Sequence, residues 1–497
     1  MRSQKADVCL ILEGTYPYVT GGVSGWCHTL LQEQSHLSFH LCAIVPRDAE
    51  LELKYQLPSN VVGLTTITLN DMPKGAPLTP VNATRLHQEL RGPIANMTSP
   101  RPMEMHDLEQ IIRALGSQKA ILGSEVLLDR EEAWEQLIDL YEASFPEHSF
   151  LDFFWSYRAI CGGMYSVLLA DLPQADVYHA LSTGYAGLMA ARAKIETGKP
   201  CFVTEHGIYT NERRIEVNSA DWLDATSSKA LTVDHTRRDL RDMWIDSINN
   251  FSHLCYQACD QIITLFKGNQ KWQLEDGADP AKMAIIPNGV DIKHFQSVGR
   301  DRKAGRPTIA LIGRVVPIKD VKTYLRAVAL LRQYIPDIQA LVIGPGDEDG
   351  EYFHECQNLA HLLGIDSNVQ FTGHVRIEQY LPTIDVLVLT SISEAQPLVM
   401  LEAGACGIPI VATDAGACRE IVEGTEDETP ALGMGGIITS MASPAATAEG
   451  IYQLLTDDAM YENASQVIRA RVAEYYNMTT QLQAYRNLYA QYLRKAA

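Results

Sequence analysis

The sequence predicts an α/β protein built from two doubly wound, Rossmann-like domains that face a cleft. Its 497 residues are enough for two large α/β domains. Short runs of β-branched and other apolar residues recur between segments with helical spacing. These runs are continuously apolar, as strands of a parallel sheet buried on both faces must be. They fall into two series separated by a segment with little to bury, so each series is expected to form the sheet of its own domain.

The first series of predicted strands lies before residue 300. It comprises Val8–Leu12, Phe39–Val45, Asp176–Leu181, Cys201–Glu205 and Gln261–Leu265. Residues 70–170 interrupt this series with a proline-rich stretch followed by apolar residues at helical spacing, namely Trp134, Leu137, Ile138 and Tyr141. We therefore expect an N-terminal domain over residues 1–300 that carries a largely helical insertion at about 70–170.

The second series of predicted strands follows the segment Gly299–Pro307, which is rich in Arg, Lys and Gly and is interpreted as a linker. The series comprises Thr308–Ile312, Ala340–Ile343, Val369–Phe371, Asp385–Leu389, Ile410–Ala412 and Gly436–Ile438. It predicts a C-terminal domain over residues 301–474. Residues 475–497 have the apolar spacing of an amphipathic helix, which we expect to pack back on the N-terminal domain.

The composition narrows the classes of function. Lys and Arg total 41 against 61 Asp and Glu, a net charge of −20, which disfavours binding to nucleic acid or anionic lipid. Any phosphate ligand must then be met by local cations. The ten cysteines are scattered without metal or redox spacing, so we expect reduced, mostly buried thiols. The polar N-terminus and the lack of a long apolar run predict a cytoplasmic chain without a signal peptide or transmembrane segment.

The sharpest motif runs from Ser391 to Pro409 after the predicted strand Asp385–Leu389. Pro397 is well placed as the first residue of a helix, which would direct the free N–H groups of Leu398 and Val399 toward a diphosphate. Glu394 and Glu402 would bracket this position and accept hydrogen bonds from sugar hydroxyls. A buried strand, turn and helix with two surface glutamates is the alternative interpretation.

In each predicted domain, one further motif follows the first strand. Arg314 and Lys319 lie five residues apart on a predicted loop and are able to converge on one anion, although a solvated Arg and Lys would look the same. Gly21 and Gly22 allow backbone amides to approach a ligand at a helix N-terminus, although a plain turn would also use them. The G-x-G-x-x-G fingerprint of dinucleotide binding is absent.

Two histidines end predicted strands of the first series, at the sheet edge where open α/β sheets bind ligands. His206 lies in the segment Cys201–Tyr209, and a neutral imidazole there is able to bond a sugar hydroxyl or the reacting centre. His179 is placed similarly, with an acceptor-site role and a structural role both open. Tyr209 is a further candidate on the acceptor side.

Together these motifs resemble the donor-site signature of retaining glycosyltransferases of the GT4 family, which have the GT-B fold. The resemblance rests on Glu-x7-Glu, on the glycines and proline that follow it, and on Gly-Arg-x4-Lys. It implies that Glu394 holds the transferred sugar, that Glu402 holds the nucleotide ribose, and that Arg314 and Lys319 neutralise the diphosphate. It also implies that the Gly21–Val23 loop reaches the phosphate and the acceptor, and that His206 lines the sugar pocket.

One departure from the family is visible after the first glutamate. The family usually has Glu-Gly-Phe-Gly there, whereas this chain has Glu394, Ala395, Gln396 and Pro397. The path of the backbone beside the sugar, and with it the choice of sugar, is therefore open. Asp347 and Asp349 offer paired carboxylates to a metal, but we interpret them as a solvated turn and expect no obligatory metal and no cofactor.

Several segments further resemble the PelF group of cytoplasmic glycosyltransferases, which act in Pel exopolysaccharide synthesis; these are Leu12–Ser24, Thr204–Tyr209 and Ser391–Pro397. This resemblance implies retaining transfer of a hexose or N-acetylhexosamine from a UDP-sugar to a growing polysaccharide. It also implies peripheral docking to an inner-membrane synthase and export complex through protein partners. Other possibilities are a GT4 enzyme making a glycolipid or small glycoside, a UDP-sugar 2-epimerase, and a nucleotide-sugar sensor without catalysis.

Overall fold

The computed structural model describes residues 5–116, 119–218, 238–298 and 306–496. All but the last two residues of the predicted linker, Gly299–Pro307, lie outside these ranges. The chain forms two compact units. The first consists of Met1–Thr264, Gln270–Ile285 and Tyr485–Ala497, and the second of Leu265–Asn269 and Ile286–Ala484.

In the described part of the first unit, seven strands form one parallel sheet in the order β3-β2-β1-β4-β5-β6-β7. The order reverses direction between β1 and β4, which is the switch point of a doubly wound sheet. The strands are β1 (Ala6–Glu13), β2 (Phe39–Val45), β3 (Val61–Thr68), β4 (Ala175–Ala180), β5 (Cys201–Glu205), β6 (Gln261–Thr264) and β7 (Met283–Ile285).

Helices surround this sheet, and five of the described ones, α2 to α6, lie between β3 and β4. The helices up to residue 275 are α1 (Gly22–Glu33), α2 (Pro80–Met97), α3 (Met105–Gly116), α4 (Ser124–Leu127), α5 (Glu131–Ser144), α6 (Phe150–Leu169), α7 (Tyr185–Thr197), α8 (Tyr209–Asn218), α9 (Leu240–Ala258) and α10 (Lys267–Glu275). Buried side chains of α2, α3 and α6, such as Leu90, Ile111 and Phe153, join the same hydrophobic cluster as Ile11 of β1.

In the described part of the second unit, six strands form a parallel sheet in the order β10-β9-β8-β11-β12-β13. They are β8 (Thr308–Ile312), β9 (Gln339–Ile343), β10 (Val369–Gly373), β11 (Val386–Leu389), β12 (Ile410–Thr413) and β13 (Gly436–Thr439). The two parallel sheets confirm the predicted α/β class with Rossmann-like domains.

The remaining helices precede, separate or follow these strands. They are α11 (Ile292–Ser297), α12 (Val321–Leu331), α13 (Gly350–Leu362), α14 (Leu398–Ala405), α15 (Cys418–Glu423), α16 (Pro444–Thr456), α17 (Asp458–Tyr475) and α18 (Met478–Ala496). Alternate residues of β11 enter different hydrophobic clusters, with Leu387 on one face of the sheet and Val388 on the other. Both faces are covered, which explains why this strand is continuously apolar.

Two edge strands were not expected from the sequence. In β3 all residues but Ile67 are only half-buried, and three of its eight residues are Thr, so its sequence lacks the continuous apolar run of a central strand. The strand β7 is three residues long and poorly buried. Edge strands have one neighbour and need less apolar surface, which is why their sequence signal is weak.

The cysteine prediction is confirmed, since all ten are buried and none forms a disulfide bond. A search of the described residues for a helix long and apolar enough to cross a membrane found none.

Candidate functional site

The motif Ser391–Pro409 forms a strand, a short loop and a helix, as its sequence predicts. The helix α14 starts at Leu398, one residue later than predicted, because Pro397 has an extended ψ of 112° and precedes the first turn. The first N–H groups of a helix lack acceptors within it, and they carry its positive dipole end. The amides of Leu398 and Val399 therefore face outward from the start of α14, at the carboxyl end of β11.

Lys319 and Glu394 meet beside this helix start. The Lys319 Nζ lies 2.5 Å from Oε1 of Glu394, and the Ser391 hydroxyl donates to the same oxygen at 2.6 Å. The side chain of Glu394 is 9% exposed and that of Lys319 is 22% exposed. A cation and a carboxylate thus lie in contact at one buried point of the second unit, where each balances the charge of the other.

Threonine hydroxyls link the loops that carry this pair to each other. The Thr390 hydroxyl donates to the carbonyl oxygens of Lys319 at 3.1 Å and Asp320 at 2.9 Å. The Thr413 hydroxyl donates to the Ser391 carbonyl at 2.6 Å. These bonds link the carboxyl ends of β11 and β12 to the loop after β8. Two motifs that are 75 residues apart in sequence therefore share one site.

The backbone of Glu394 is held by the turn after β12. The amide of Ala417 donates to the Ala395 carbonyl at 2.8 Å. Gly416 has φ +54°, and a Cβ atom there would overlap the carbonyl oxygens of Glu394 and Ala395. Glycine is needed at this position both for the left-handed conformation and for the close approach.

Gln396, where the chain departs from the family motif, connects this loop to Asn288. Its Oε1 accepts from the Asn288 amide at 2.6 Å, and its side chain is buried. The Gln481 side chain donates to the Asn288 Oδ1 at 3.3 Å and accepts from the Gly289 amide at 3.1 Å. The Asn288-Gly289 segment, which the sequence indicates is a turn, thus also supports the Glu394 loop.

Arg314 lies on the loop after β8 and forms an ion pair that the sequence does not predict. Its guanidinium donates to both carboxylate oxygens of Glu348, at 2.5 and 2.6 Å. Both side chains are more than half exposed. The neighbouring Asp349 caps α13 by accepting the Tyr352 amide at 2.9 Å. The segment 347–349 therefore supplies the N-cap of α13 and, separately, a counter-charge for Arg314.

Glu402 lies in the second turn of α14. Burial, and next the negative charge of Glu378, raise the pKa of the Glu402 carboxyl to about 7. The side chain is thus near its midpoint of ionisation at neutral pH, where it is able either to donate or to accept a hydrogen bond.

In the first unit, Gly21, Gly22 and Val23 form the start of α1. Gly21 is the N-cap, the helix begins at Gly22, and both glycines are exposed. The free amides of this helix start therefore face solvent within the unit.

His206 follows β5 and is enclosed by aromatic rings. Trp26 packs edge-on against its ring at a centroid distance of 4.6 Å, and Tyr485 packs on Trp26 at 5.3 Å. Burial lowers the pKa of His206 to about 4, so the imidazole is neutral at pH 7. Its Nε2 is buried and has no hydrogen-bond partner among the described residues. A buried polar atom without a partner is unusual in a folded protein.

The structure does not support the acceptor-side prediction for His179. Its Nδ1 lies 2.9 Å from the Tyr489 hydroxyl and its Nε2 lies 2.9 Å from that of Thr204. The side chain is completely buried, and burial lowers its pKa to about 3. Because both ring nitrogens already bond buried side chains, His179 is a core histidine that connects β4 to β5 and α18.

Tyr209 starts α8, and its hydroxyl donates to Oε1 of Glu13 at 2.5 Å. Glu13 ends β1 and was not among the predicted site residues, although it immediately precedes the glycine-rich loop. Its place at the carboxyl end of a central strand is the signal that identifies it. Among the described residues, no group of three or more His, Cys, Asp or Glu is placed to hold a metal ion.

Two family models match the chain. Residues 6–281 match the family described as "Domain of unknown function (DUF3492)", and residues 293–471 match "Glycosyl transferases group 1". The first model covers more than half of the chain. The second covers the strands and helices that carry Arg314, Lys319, Glu394 and Glu402.

Curated relatives include two kinds of glycosyltransferase. The MMP α-(1→4)-mannosyltransferase of Mycolicibacterium hassiacum is 28% identical over 58% of this chain and 63% of its own length. A D-inositol 3-phosphate glycosyltransferase of Corynebacterium urealyticum is 32% identical over 39% of this chain and 49% of its own. The chain thus spans about half the length of the curated relatives it matches.

Solved structures share the fold. Sucrose-phosphate synthase from Thermosynechococcus elongatus has a TM-score of 0.57 at 17% identity and covers 98% of this chain and 100% of its own. HepE from Anabaena in complex with UDP has a TM-score of 0.57 at 14% identity and the same coverage. With glycosyltransferase neighbours of this kind, the fold is GT-B, as the resemblance implied.

Proposed function

The chain belongs to the DUF3492 family and carries a glycosyl transferases group 1 domain, and on that premise we propose that it is a UDP-sugar-dependent, retaining glycosyltransferase. The observation that carries this proposal is the contact of Lys319 with Glu394 beside the start of α14. A helix N-terminus and a lysine favour a diphosphate, and a carboxylate one contact away favours the hydroxyls of the attached sugar. A nucleotide-sugar carries both groups in one molecule.

Each group of the donor has a proposed partner. Arg314, Lys319 and the amides of Leu398 and Val399 bind the diphosphate, with Pro397 directing the helix start and the Gly21–Val23 amides as further donors. Glu402 accepts a hydrogen bond from the ribose. Glu394 and His206 orient the transferred sugar, and the orphan Nε2 of His206 supports this role. The UDP complex of HepE supports a uridine nucleotide as the donor.

The proposed reaction is front-side transfer with retention. The bond between sugar C1 and the phosphate oxygen breaks, the acceptor oxygen bonds to C1 on the same face, and its proton passes to the leaving phosphate oxygen. Negative charge develops on the diphosphate, where preorganised donors stabilise it most in the transition state. Removal of one such donor typically costs on the order of 3 kcal/mol. Since Arg314, Lys319 and α14 supply this positive charge, we propose that no metal or cofactor is required.

For the acceptor, we propose a growing polysaccharide of the Pel type, to which a hexose or N-acetylhexosamine is added on the cytoplasmic side of the membrane. The motif Leu12–Ser24 and the sequence around Glu394 support this assignment through their resemblance to the PelF group. Docking to an inner-membrane synthase complex would use protein partners, because a net charge of −20 is repelled by anionic lipid.

The proposal is tested with a panel of UDP- and GDP-sugars. Thermal stabilisation and release of nucleotide are measured for the wild type, Glu394→Ala and Arg314→Ala, with and without EDTA. We expect stabilisation by UDP and one UDP-sugar, and release that EDTA does not affect and that both variants lose. Lys322→Ala is the control, because Lys322 lies three residues after Lys319 but pairs with Glu355.

Other outcomes identify the alternatives. Conversion of the UDP-sugar to its 2-epimer without an acceptor would make the protein an epimerase. Binding without any turnover when acceptor is supplied would make it a sensor, and transfer to a lipid or small glycoside would make it a different GT4 enzyme. Absence of any response to UDP would overturn the interpretation of Glu394 and Glu402.

A further inference from the structure

A cavity of about 450 Å³ lies within the first unit, between α2 and α5 of the helical segment that separates β3 from β4. This volume is in the range of sites that bind small molecules. None of the residues that line it belongs to the candidate site described above. The side chains that decide its chemistry are Arg91, Arg101, Gln136, Asp139, Tyr157 and Arg238.

Gln136 brings a buried amide group to this cavity. The residue is 7% exposed, and its Oε1 lies 3.2 Å from the Nδ1 of His87. Its Nε2 is buried and has no hydrogen-bond partner among the described residues. Since His87 meets only one of the two polar atoms, either orientation of the amide leaves the other atom unpaired. A buried polar atom without a partner is unusual, and a ligand in the cavity would satisfy it.

The surroundings of this amide are largely apolar. Ile94, Leu140 and Ala143 line the cavity, together with Tyr157, which is 6% exposed. A single polar atom among apolar side chains suits the edge of a flat aromatic ring system, whose faces pack on the walls while an edge atom bonds the amide. A sugar fits less well, because most of its hydroxyls would lose water without gaining a partner.

Arginines supply positive charge to the wall of the cavity. Arg91 pairs with Asp139, and Arg238 pairs with Asp246. Arg101 is exposed and has no ion pair among the described residues. The side chains of Arg91 and Asp139 are 58 and 49% exposed, so their pair contributes about 1 kcal/mol or less and a stronger anion is able to displace Asp139. Guanidinium groups bind phosphate through paired N–H groups.

One further carboxylate, that of Asp107, lies behind the wall of the cavity. It accepts from the Asn96 side chain at 3.1 Å and from the Glu104 amide at 3.1 Å, and His106 lies 3.5 Å from it. Asp107 is also in the first turn of α3, whose positive end stabilises a carboxylate. Asp107 therefore has partners of its own, and the charge of Arg101 remains available to an anionic ligand.

We propose that this cavity binds a nucleoside monophosphate, as a nucleotide site separate from that of the sugar donor. The arginines bond the phosphate, Gln136 bonds the edge of the base, and the apolar walls cover the faces of the base. The inference goes beyond the proposed function and does not rest on it, because no residue assigned to the donor takes part.

The test measures binding of AMP, GMP and CMP to the whole protein by isothermal titration at low ionic strength, with inorganic phosphate for comparison. We expect at least one nucleotide to bind tenfold or more tightly than phosphate. Arg101→Gln should weaken its binding by about tenfold, as expected for the loss of a hydrogen bond to a charged group. Gln136→Leu should weaken binding of the nucleotide and leave that of phosphate unchanged, a difference that a purely structural role would not produce.

Controls separate this site from other arginines and from the donor site. Arg85→Gln is the matched control, because Arg85 also lies on α2 but pairs with Glu89 and does not line the cavity. This variant and Arg314→Ala should both bind the nucleotide as the wild type does. An unchanged melting temperature shows that Arg101→Gln, which alters an exposed side chain, is folded.

Four results would overturn the inference. They are failure of all three nucleotides to bind, phosphate binding as tight as that of the nucleotide, wild-type binding by Arg101→Gln or Gln136→Leu, and loss of binding in Arg314→Ala, which would place the nucleotide at the donor site. The response to UDP-sugars is a separate measurement, so failure of this inference leaves the proposed function standing.

Discussion

The two cations that we propose bind the diphosphate are each paired with a carboxylate, but their surroundings differ. Lys319 and Glu394 are 22 and 9% exposed, whereas Arg314 and Glu348 are 56 and 51% exposed. An exposed ion pair contributes about 1 kcal/mol or less. A diphosphate, with more negative charge than one carboxylate, should therefore displace Glu348 from Arg314 readily, while Lys319 remains beside Glu394.

Replacement of Glu348 tests this competition. Glu348→Gln removes the negative charge that a diphosphate must displace, so UDP should bind up to about fivefold more tightly, as expected for less than 1 kcal/mol. Isothermal titration at low ionic strength measures the change. Glu355→Gln is the matched control, because Glu355 lies seven residues later, in α13, and pairs with Lys322 instead. Weaker binding by Glu348→Gln would mean that Glu348 holds Arg314 in its binding position.

Glu205, the residue before His206, has an ionisation that can be tested. Glu205 is 1% exposed and accepts from Tyr256 at 2.7 Å and Gln273 at 2.8 Å. Burial raises the pKa of its carboxyl to about 7, although these two hydrogen bonds act in the opposite direction. The folded protein therefore keeps this proton at a pH at which the unfolded chain, with an ordinary glutamate pKa of about 4.3, has lost it.

Stability should consequently fall as pH rises from about 4.3 to about 7 and then level off, with a loss of roughly 4 kcal/mol from this group. Glu205→Gln cannot ionise and should lack that part of the pH dependence. Melting temperatures across this pH window, compared with Glu33→Gln, measure the difference. Parallel curves for the wild type and Glu205→Gln would show that Glu205 does not retain its proton on folding.

At the scale of elements, the central strands were predictable because both faces of each sheet are covered. Strands such as β11 must then be apolar at every residue. The edge strands β3 and β7 carry no such pattern. The helix α14 was predictable from Pro397, but its exact start depends on the ψ angle of that residue, which a sequence does not reveal.

The candidate site likewise contains residues that a local motif predicts and residues that only the fold brings together. Glu394, Pro397 and Glu402 lie within one turn and helix, so a single motif predicts them. The partners that complete the site are remote in sequence, as for Gln396 with Asn288 and Arg314 with Glu348. Only the fold brings such residues together, so sequence spacing has no information about them. For His179 the sequence left two roles open, and only the fold shows that this strand end is covered by the distant helix α18.

The turn after β12 offers a test at this scale. Gly416→Ala would force a Cβ atom against the carbonyls of Glu394 and Ala395, so the Glu394 loop must shift. A shift of about 1 Å at a binding group typically costs on the order of a hundredfold in rate. We expect transfer from the donor to fall by about this factor, measured as kcat/KM for the UDP-sugar, while circular dichroism remains that of a folded protein.

Gly364→Ala controls for backbone strain in this test. Gly364 also has a positive φ, of 67°, but a Cβ atom there has nothing closer than 3.9 Å. Both variants strain the backbone, and Gly416→Ala alone moves the loop. Equal activity of the two would show that the position of Glu394 is not critical for transfer.

At the scale of the whole molecule, a negative net charge contrasts with a local concentration of positive charge in the second unit. The chain carries a net charge of −20, yet the second unit places Arg314 and Lys319 on one loop and the start of α14 beside it. An anionic nucleotide is therefore expected to bind at this loop and helix start of the second unit.

Hydrogen exchange on the intact protein tests this expectation. A ligand slows exchange of amides whose opening it opposes, and at a hundred times its Kd it stabilises the bound region by about 2.7 kcal/mol. UDP should protect peptides around Lys319, Leu398 and Glu402. Protection of the Gly21–Val23 amides by UDP would indicate in addition that this loop binds the nucleotide. Protection by UDP of peptides around Glu13 and Tyr209, with none around Lys319, Leu398 and Glu402, would contradict the assignment of the nucleotide to the second unit.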